Sequence, residues 1–179
     1  MAGQPTFPPR HSPYGWPLVD RKEEFAKLAK EKGDETYRVA DFQGRTIALP
    51  IRHVPVNFPK YRISNGRTAS AQQEWVALKH CPVDFFDKGD PELDEIQIAQ
   101  HRILMEMIRE EGLQTKFEDP ANKQVEPLLL DENGFVVNGN RRLCCWRVLF
   151  EKDSSTFSHF GHVEVVILPH CEERELDRL

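Results

Sequence analysis

The sequence predicts an α+β domain, a mixed sheet with packed helices, and three observations carry that prediction. Short apolar or β-branched runs suited to strands, at residues 125–130, 135–138 and 162–169, stand beside longer stretches with helical spacing. These elements do not alternate one for one, as a doubly wound parallel sheet requires. A hydrophobic content of 39% against 30% charged residues, over 179 residues, suits one globular body with a core and a polar surface.

The elements follow in chain order. Residues 1–17 hold Pro5, Pro8, Pro9, Pro13 and Pro17 with few aliphatic side chains, which predicts a disordered proline-rich arm. Its aromatics, Phe7, Tyr14 and Trp16, are able to dock on a body. Residues 18–46 read as a helix and hairpin extension. In "DRKEEFAKLAKEKG" Asp20 is placed to cap, Glu23 completes a capping box and Gly33 terminates the helix. Its stripe of Phe25, Leu28 and Ala29 is thin, which sets the helix on the surface. "TYRVADFQGRTIALPI" reads as two short strands around Gln43-Gly44.

Residues 47–179 form the predicted body. "HVPVNFPKYRISNGRT" is rich in turn residues and reads as irregular, and "ASAQQEWVALKH" reads as a helix. A long helix runs from Pro91 to Glu111, with Asp90 as cap, Pro91 in the first turn and Gly112 as stop. Its stripe is Leu93, Ile96, Ile103, Leu104, Met107 and Ile108. "VEPLLL" and "FVVN" are strands joined through Asp131-Glu132-Asn133-Gly134. A helix then opens at Arg141-Arg142, burying Leu143, Trp146, Leu149 and Phe150. The strand "HVEVVILP" and an acidic helix "CEERELDRL" follow.

Composition excludes several classes. The longest apolar runs fall far short of a membrane span and no signal-peptide pattern is present, so no membrane partner is expected. Four cysteines, with Cys144 and Cys145 adjacent, do not resemble a disulfide framework and suit a reducing, cytoplasmic setting. A net charge of −5 restricts DNA contact to a local patch or to another part. His80-Cys81, His159, His162 and His170-Cys171 lack the paired spacing of a zinc site. Ser154, Ser155 and Thr156 read as a loop, with no Ser-His-Asp arrangement legible around them.

The stretch "GFVVNGNRRLCCWRVLF", residues 134–150, carries the most chemistry. A strand gives way to Asn138-Gly139-Asn140, then to two arginines at the start of a helix. The first turn of a helix has backbone N–H groups without intrahelical partners and a partial positive charge. A cation placed there costs roughly 0.3–1 kcal/mol unless an anion compensates it. Gly139, Asn140, Arg141 and Arg142 together therefore predict a phosphate site. Gly139 either serves the turn or leaves room for a phosphate at the backbone. Arg62, Asn65 and Arg67 are either surface residues of a loop or the second wall of that pocket. Glu111, at the end of the long helix, is either solvated or the carboxylate that acts with Arg141 and Arg142 in catalysis.

In order and spacing, the helix ending "MIREEGL", the strand "VEPLLL", "FVVNGNRRL" and "VEVVILP" resemble the N-terminal domain of the ParB/sulfiredoxin superfamily. Glu126-Pro127-Leu128 stands where the family's first box falls, and Gly139-Asn140-Arg141-Arg142 where the second falls. "VNFPKYR" and "SNGR" loosely match an earlier turn ending in arginine. The resemblance implies a nucleotide pocket holding ATP or CTP with Mg2+, the double-arginine turn on the phosphates, and Glu126 and Pro127 beside the nucleotide. Relatives use this pocket for CTP-gated DNA clamping, repair of oxidised peroxiredoxin, serine phosphorylation, and ATPase or nuclease activity. Asn140 stands where sulfiredoxin-type chemistry needs a cysteine. The family's magnesium-binding Glu-Asn box falls just past Leu179, which leaves the metal ligands unknown, with Glu172, Glu173 and Asp177 the nearby carboxylates. The DNA-reading helix-turn-helix of partition proteins has no counterpart. The resemblance thus implies a bacterial, plasmid or phage protein that binds and slowly hydrolyses a nucleoside triphosphate. The alternative is a DNA-associated module, a nucleotide switch closing a homodimer or a nuclease, with little turnover.

Overall fold

The computed structural model describes residues 14–33, 35–119 and 121–179. Its elements are α1 (Leu18–Leu28), β1 (Thr36–Phe42), β2 (Arg45–Pro50), β3 (Arg52–Pro55), β4 (Lys60–Tyr61), α2 (Ala69–Lys79) and α3 (Asp94–Glu110). They continue as α4 (Leu113–Glu118), β5 (Leu128–Leu130), β6 (Phe135–Asn138), α5 (Asn140–Lys152), β7 (His162–Ile167) and α6 (Glu173–Leu176). The α+β class holds: β3-β7-β5-β6-β4 form one mixed sheet, and β1-β2 a separate two-stranded ribbon. β7 runs parallel to β5 and β4 parallel to β6, while the β3–β7 and β5–β6 pairs are antiparallel.

Alternation along the central strands sets the two faces. Leu128 and Leu130, Val136, Val163 and Val165 join the larger core with Leu104, Ile108, Leu143, Trp146 and Leu149 from α3 and α5. Leu129, Val137 and Val166 point the other way, into a second cluster with Val39 and Phe42 of the ribbon and Leu176 of α6. The sheet is therefore buried on both sides, by helices on one and a β-ribbon on the other. That explains why β5 is buried at every residue.

Local signals place most elements where the sequence sets them, with corrections. α1 starts at Leu18 behind Pro17, not behind Asp20, which instead lies in the first turn. It ends at Leu28, ahead of Gly33. Its anchor is Arg21, fully buried and paired with Glu92, its guanidinium 4.9 Å from the centre of the Phe135 ring. The last four residues of the expected arm are docked on the body. Tyr14 stacks on His101 with ring centres 3.9 Å apart, and the Trp16 N–H donates to the Phe58 carbonyl at 3.1 Å. Residues 1–13, Phe7 among them, lie outside the described residues. The expected break between residues 46 and 47 falls inside β2.

The segment expected to be irregular supplies both edge strands, because β3 and β4 form on partners far along the chain, β7 and β6. α3 starts at Asp94, not Pro91, because Asp90 accepts the Glu92 N–H in a tight turn and the Pro91 carbonyl is taken by the Gln97 side chain. Gly112, at φ +66°, ends α3 and leads into α4, which lays Phe117 edge-on against Trp146. Among the described residues no helix is long and apolar enough to cross a membrane.

Candidate functional site

α5 opens where β6 stops. Gly139 takes φ +116°, ψ 14°, a backbone geometry that favours glycine, and turns the chain from sheet to helix. The Leu143 N–H closes the first helical bond on the Gly139 carbonyl at 2.9 Å. The N–H groups of Asn140, Arg141 and Arg142 precede that bond and have no intrahelical acceptor, and among the described residues no side chain caps them. They border a cleft of about 620 Å³, within the roughly 300–1,000 Å³ usual for small-molecule sites.

The cleft brings together most of the residues the sequence singled out. Gly139, Asn140, Arg141 and Arg142 form one wall. Arg62, Arg67 and the turn between them form another, with Glu111 at the end of α3. Arg67 and its neighbours are thus a second wall, not a remote loop. The turn is held by Asn65, whose side chain accepts the Arg67 N–H at 3.0 Å and whose carbonyl accepts the Thr68 hydroxyl at 3.1 Å. Glu126 and Pro127 do not line the cleft. β5 begins only at Leu128, so the Glu126 carbonyl accepts from Arg142 at 3.0 Å and its carboxylate stays 3.9 Å from that guanidinium. Glu126 thus positions Arg142 and does not face the cleft.

Each cleft arginine has a distinct environment. Arg141, part-exposed, donates to both carboxylate oxygens of Glu111. Glu111, itself exposed, therefore sits as a counter-ion to Arg141. Burial pulls the Arg142 guanidinium below its ordinary pKa, with Glu126 opposing. Arg62 is 8% exposed. Burial works against its charge, but hydrogen bonds to Glu173 and Asp177 outweigh that and raise its pKa. Those bonds run 2.5 and 2.6 Å from one Nη atom. Among the described residues the exposed Arg67 guanidinium has no ion-pair partner. Asn140 is 5% exposed and ties the two walls together, its Nδ2 donating to the Arg62 carbonyl at 3.0 Å. Its Oδ1 is buried with no partner among the described residues.

Sequence reasoning named Glu173 and Asp177 only as carboxylates near a metal, and did not foresee that this stretch closes on Arg62. Leu176, Asp177 and Leu179 line the cleft, and an apolar shelf of Leu104, Met107 and Leu113 completes it. The only signal for the shelf was the apolar stripe of the long helix, and nothing local signalled that α6 folds back onto Arg62. Among the described residues no group of three His, Cys, Asp or Glu side chains is placed to hold a metal ion.

The adjacent cysteines lie away from this chemistry. Burial pushes the Cys144 and Cys145 thiols up to about 12. Cys144 packs beside His101, whose Nδ1 lies 2.8 Å from the Tyr61 hydroxyl. Burial, reinforced by Arg147 and Arg102, lowers the His101 pKa to about 3.

Fold and site together define an α+β domain with an arginine-lined cleft at a helix N-terminus. Comparison with family models, curated proteins and solved structures finds no match.

Proposed function

We propose that the cleft binds the phosphates of a nucleoside triphosphate, ATP or CTP, in a ParB/sulfiredoxin-like domain, and hydrolyses it slowly with Mg2+. The observation that supports this reading is the convergence of the α5 N-terminus with Arg62, Arg67, Arg141 and Arg142 on one cleft. Helix-start N–H groups at Asn140 and Arg141 donate to phosphate oxygens, and the arginines balance the charge that develops in transfer. When Arg141 turns to a phosphate it releases Glu111, whose carboxylate then orients the attacking water. Magnesium, when bound, would supply further charge neutralisation, and it needs only one or two protein carboxylates. Glu111, on the cleft wall, would be such a carboxylate.

The test is equilibrium binding of ATP, CTP, GTP and UTP with magnesium, to wild type and to Arg141→Ala/Arg142→Ala, following phosphate release in the same samples. Charge-assisted hydrogen bonds contribute about 1.5–3 kcal/mol each, so the double variant loses at least about 100-fold in affinity. Glu111→Gln keeps binding and loses turnover. Binding with negligible phosphate release would favour the nucleotide-switched DNA module, and no binding of any nucleotide at millimolar concentration would end the reading.

A further inference from the structure

Arg62 and its partners are built asymmetrically. The arginine is fixed: it directly follows β4, its carbonyl is held by Asn140, and its side chain is 9% exposed. A guanidinium so placed cannot be left without an anion, since an unpaired buried charge is strongly destabilising. Its present anions are not fixed. The Glu173 and Asp177 side chains are 63% and 56% exposed, so water stands ready to solvate both on release. Glu173 opens α6, a helix of four residues, and Asp177 directly follows it. Leu176 anchors α6 in the second apolar cluster, and the Asn138 side chain donates to the Leu179 carbonyl at 3.0 Å. Leu176, Asp177 and Leu179 also form part of the cleft wall.

We infer that α6 is a carboxylate latch: Glu173 and Asp177 hold Arg62 until a polyphosphate takes it from them, and the 173–179 segment is then released. This rests on the phosphate reading of the cleft and adds its regulation. The cation stays in place while the anions exchange, so no buried charge is ever unpaired. A polyphosphate concentrates more charge on Arg62 than two carboxylates that each keep half their surface in water. The cost of breaking the latch is subtracted from ligand affinity, and the freed segment reports occupancy to the molecular surface. The same exchange runs at Arg141, where Glu111 is the resident anion, but Glu111 ends a long helix and has no segment to release.

The experiment titrates full-length protein with tripolyphosphate and magnesium by calorimetry, and follows amide hydrogen exchange of residues 173–179. Three proteins are compared: wild type, Glu173→Gln/Asp177→Asn, and Glu172→Gln/Glu175→Gln. The last removes the same two charges without touching Arg62. In Glu173→Gln/Asp177→Asn the amides still offer Arg62 hydrogen-bond acceptors but no anion; should that double variant fail to fold, Asp177→Asn alone, with Glu173 still on Arg62, takes its place in the same comparison. Removing the latch tightens binding about fivefold or more over the control variant, the scale of exposed ion pairs. Exchange across 173–179 rises on saturating the wild type, and is already raised in Glu173→Gln/Asp177→Asn before titration. Equal affinity in the two variants, or unchanged exchange at saturation, overturns the latch and leaves the phosphate site standing. Failure of all three proteins to bind tripolyphosphate removes the site and the latch with it.

Discussion

Replacing Gly139 by alanine isolates the turn on which the cleft depends. Two separate costs follow from its geometry. The backbone sits at φ +116°, and an L side chain in left-handed backbone costs roughly 1–2 kcal/mol. An added Cβ would also stand 2.4 Å from Leu128 Cδ2 and 3.1 Å from an Nη atom of Arg142. Leu128 is fully buried in the central strand, so it yields only by disturbing β5, an overpacking cost of about 1–3 kcal/mol. The sum is a loss of about 2–5 kcal/mol. Gly44 supplies the control: it has φ +75°, and a Cβ there meets nothing within 4 Å. Gly44→Ala should therefore lose the backbone cost alone. The assay is equilibrium urea unfolding of both variants by tryptophan fluorescence, with Trp146 as the buried reporter. A loss at Gly139→Ala below about 1 kcal/mol, or equal losses in the two variants, would refute the claim that steric closure at Gly139 shapes the start of α5.

Two further predictions concern the buried groups behind the site. A thiol-reactive disulfide reagent should label Cys81 and Cys171 in the native protein and reach Cys144 and Cys145 only in denaturant, because burial holds both of the latter near 12. Labelling of Cys144 at the rate of Cys81 would contradict the packing described. His101 makes stability depend on pH. Its folded pKa of about 3 lies below the ordinary 6.5, so the unfolded chain takes up the proton first as pH falls. The stability it contributes is complete above pH 6.5 and is lost progressively down to pH 3, about 2 kcal/mol of it between pH 7 and pH 5. Burial raises the Asp131 and Glu151 carboxyls, which act with the opposite sign, so the comparison is the pH slope of wild type against His101→Gln. Identical slopes would dismiss the buried neutral histidine.

What could be read from the chain was what local chemistry decides. The hairpin turns at Gln43-Gly44 and Asp131–Gly134, the helices α2 and α5 and the strand β7 each carry their own signal in consecutive residues. The strands β3 and β4 do not. With four and two residues they exist because β7 and β6 lie beside them, and proline at 55 and 59 masks their pattern. The start of α3 was displaced because Glu92, ahead of the helix, pairs with both Arg21 and Lys60 across the molecule. At the site, the Gly139–Arg142 turn was legible because adjacent arginines at a helix start are electrostatically unfavourable without a purpose. The pairing of Arg62 with Glu173 and Asp177 was not, since 111 and 115 residues separate the partners. Glu126 and Pro127 were assigned from box order alone, and box order does not say where β5 begins.

The strand order β3-β7-β5-β6-β4 has a consequence for how the chain is made. Both edge strands are synthesised by residue 61, whereas every central strand lies beyond residue 127. From Tyr61 to Ile167 the ribosome adds 167 − 61 = 106 residues, which at about 5–20 residues per second takes roughly 5–20 s. During that interval Val54, Phe58 and Tyr61, fully buried in the finished fold, have no sheet to join. α2 and α3 form locally in the meantime, but the β3 and β4 segments wait as exposed apolar chain. That is the kind of stretch that holdase chaperones bind and that aggregates when translation outpaces them. The nascent protein is therefore most vulnerable midway through its synthesis, before β5, β6 and β7 emerge to close the sheet.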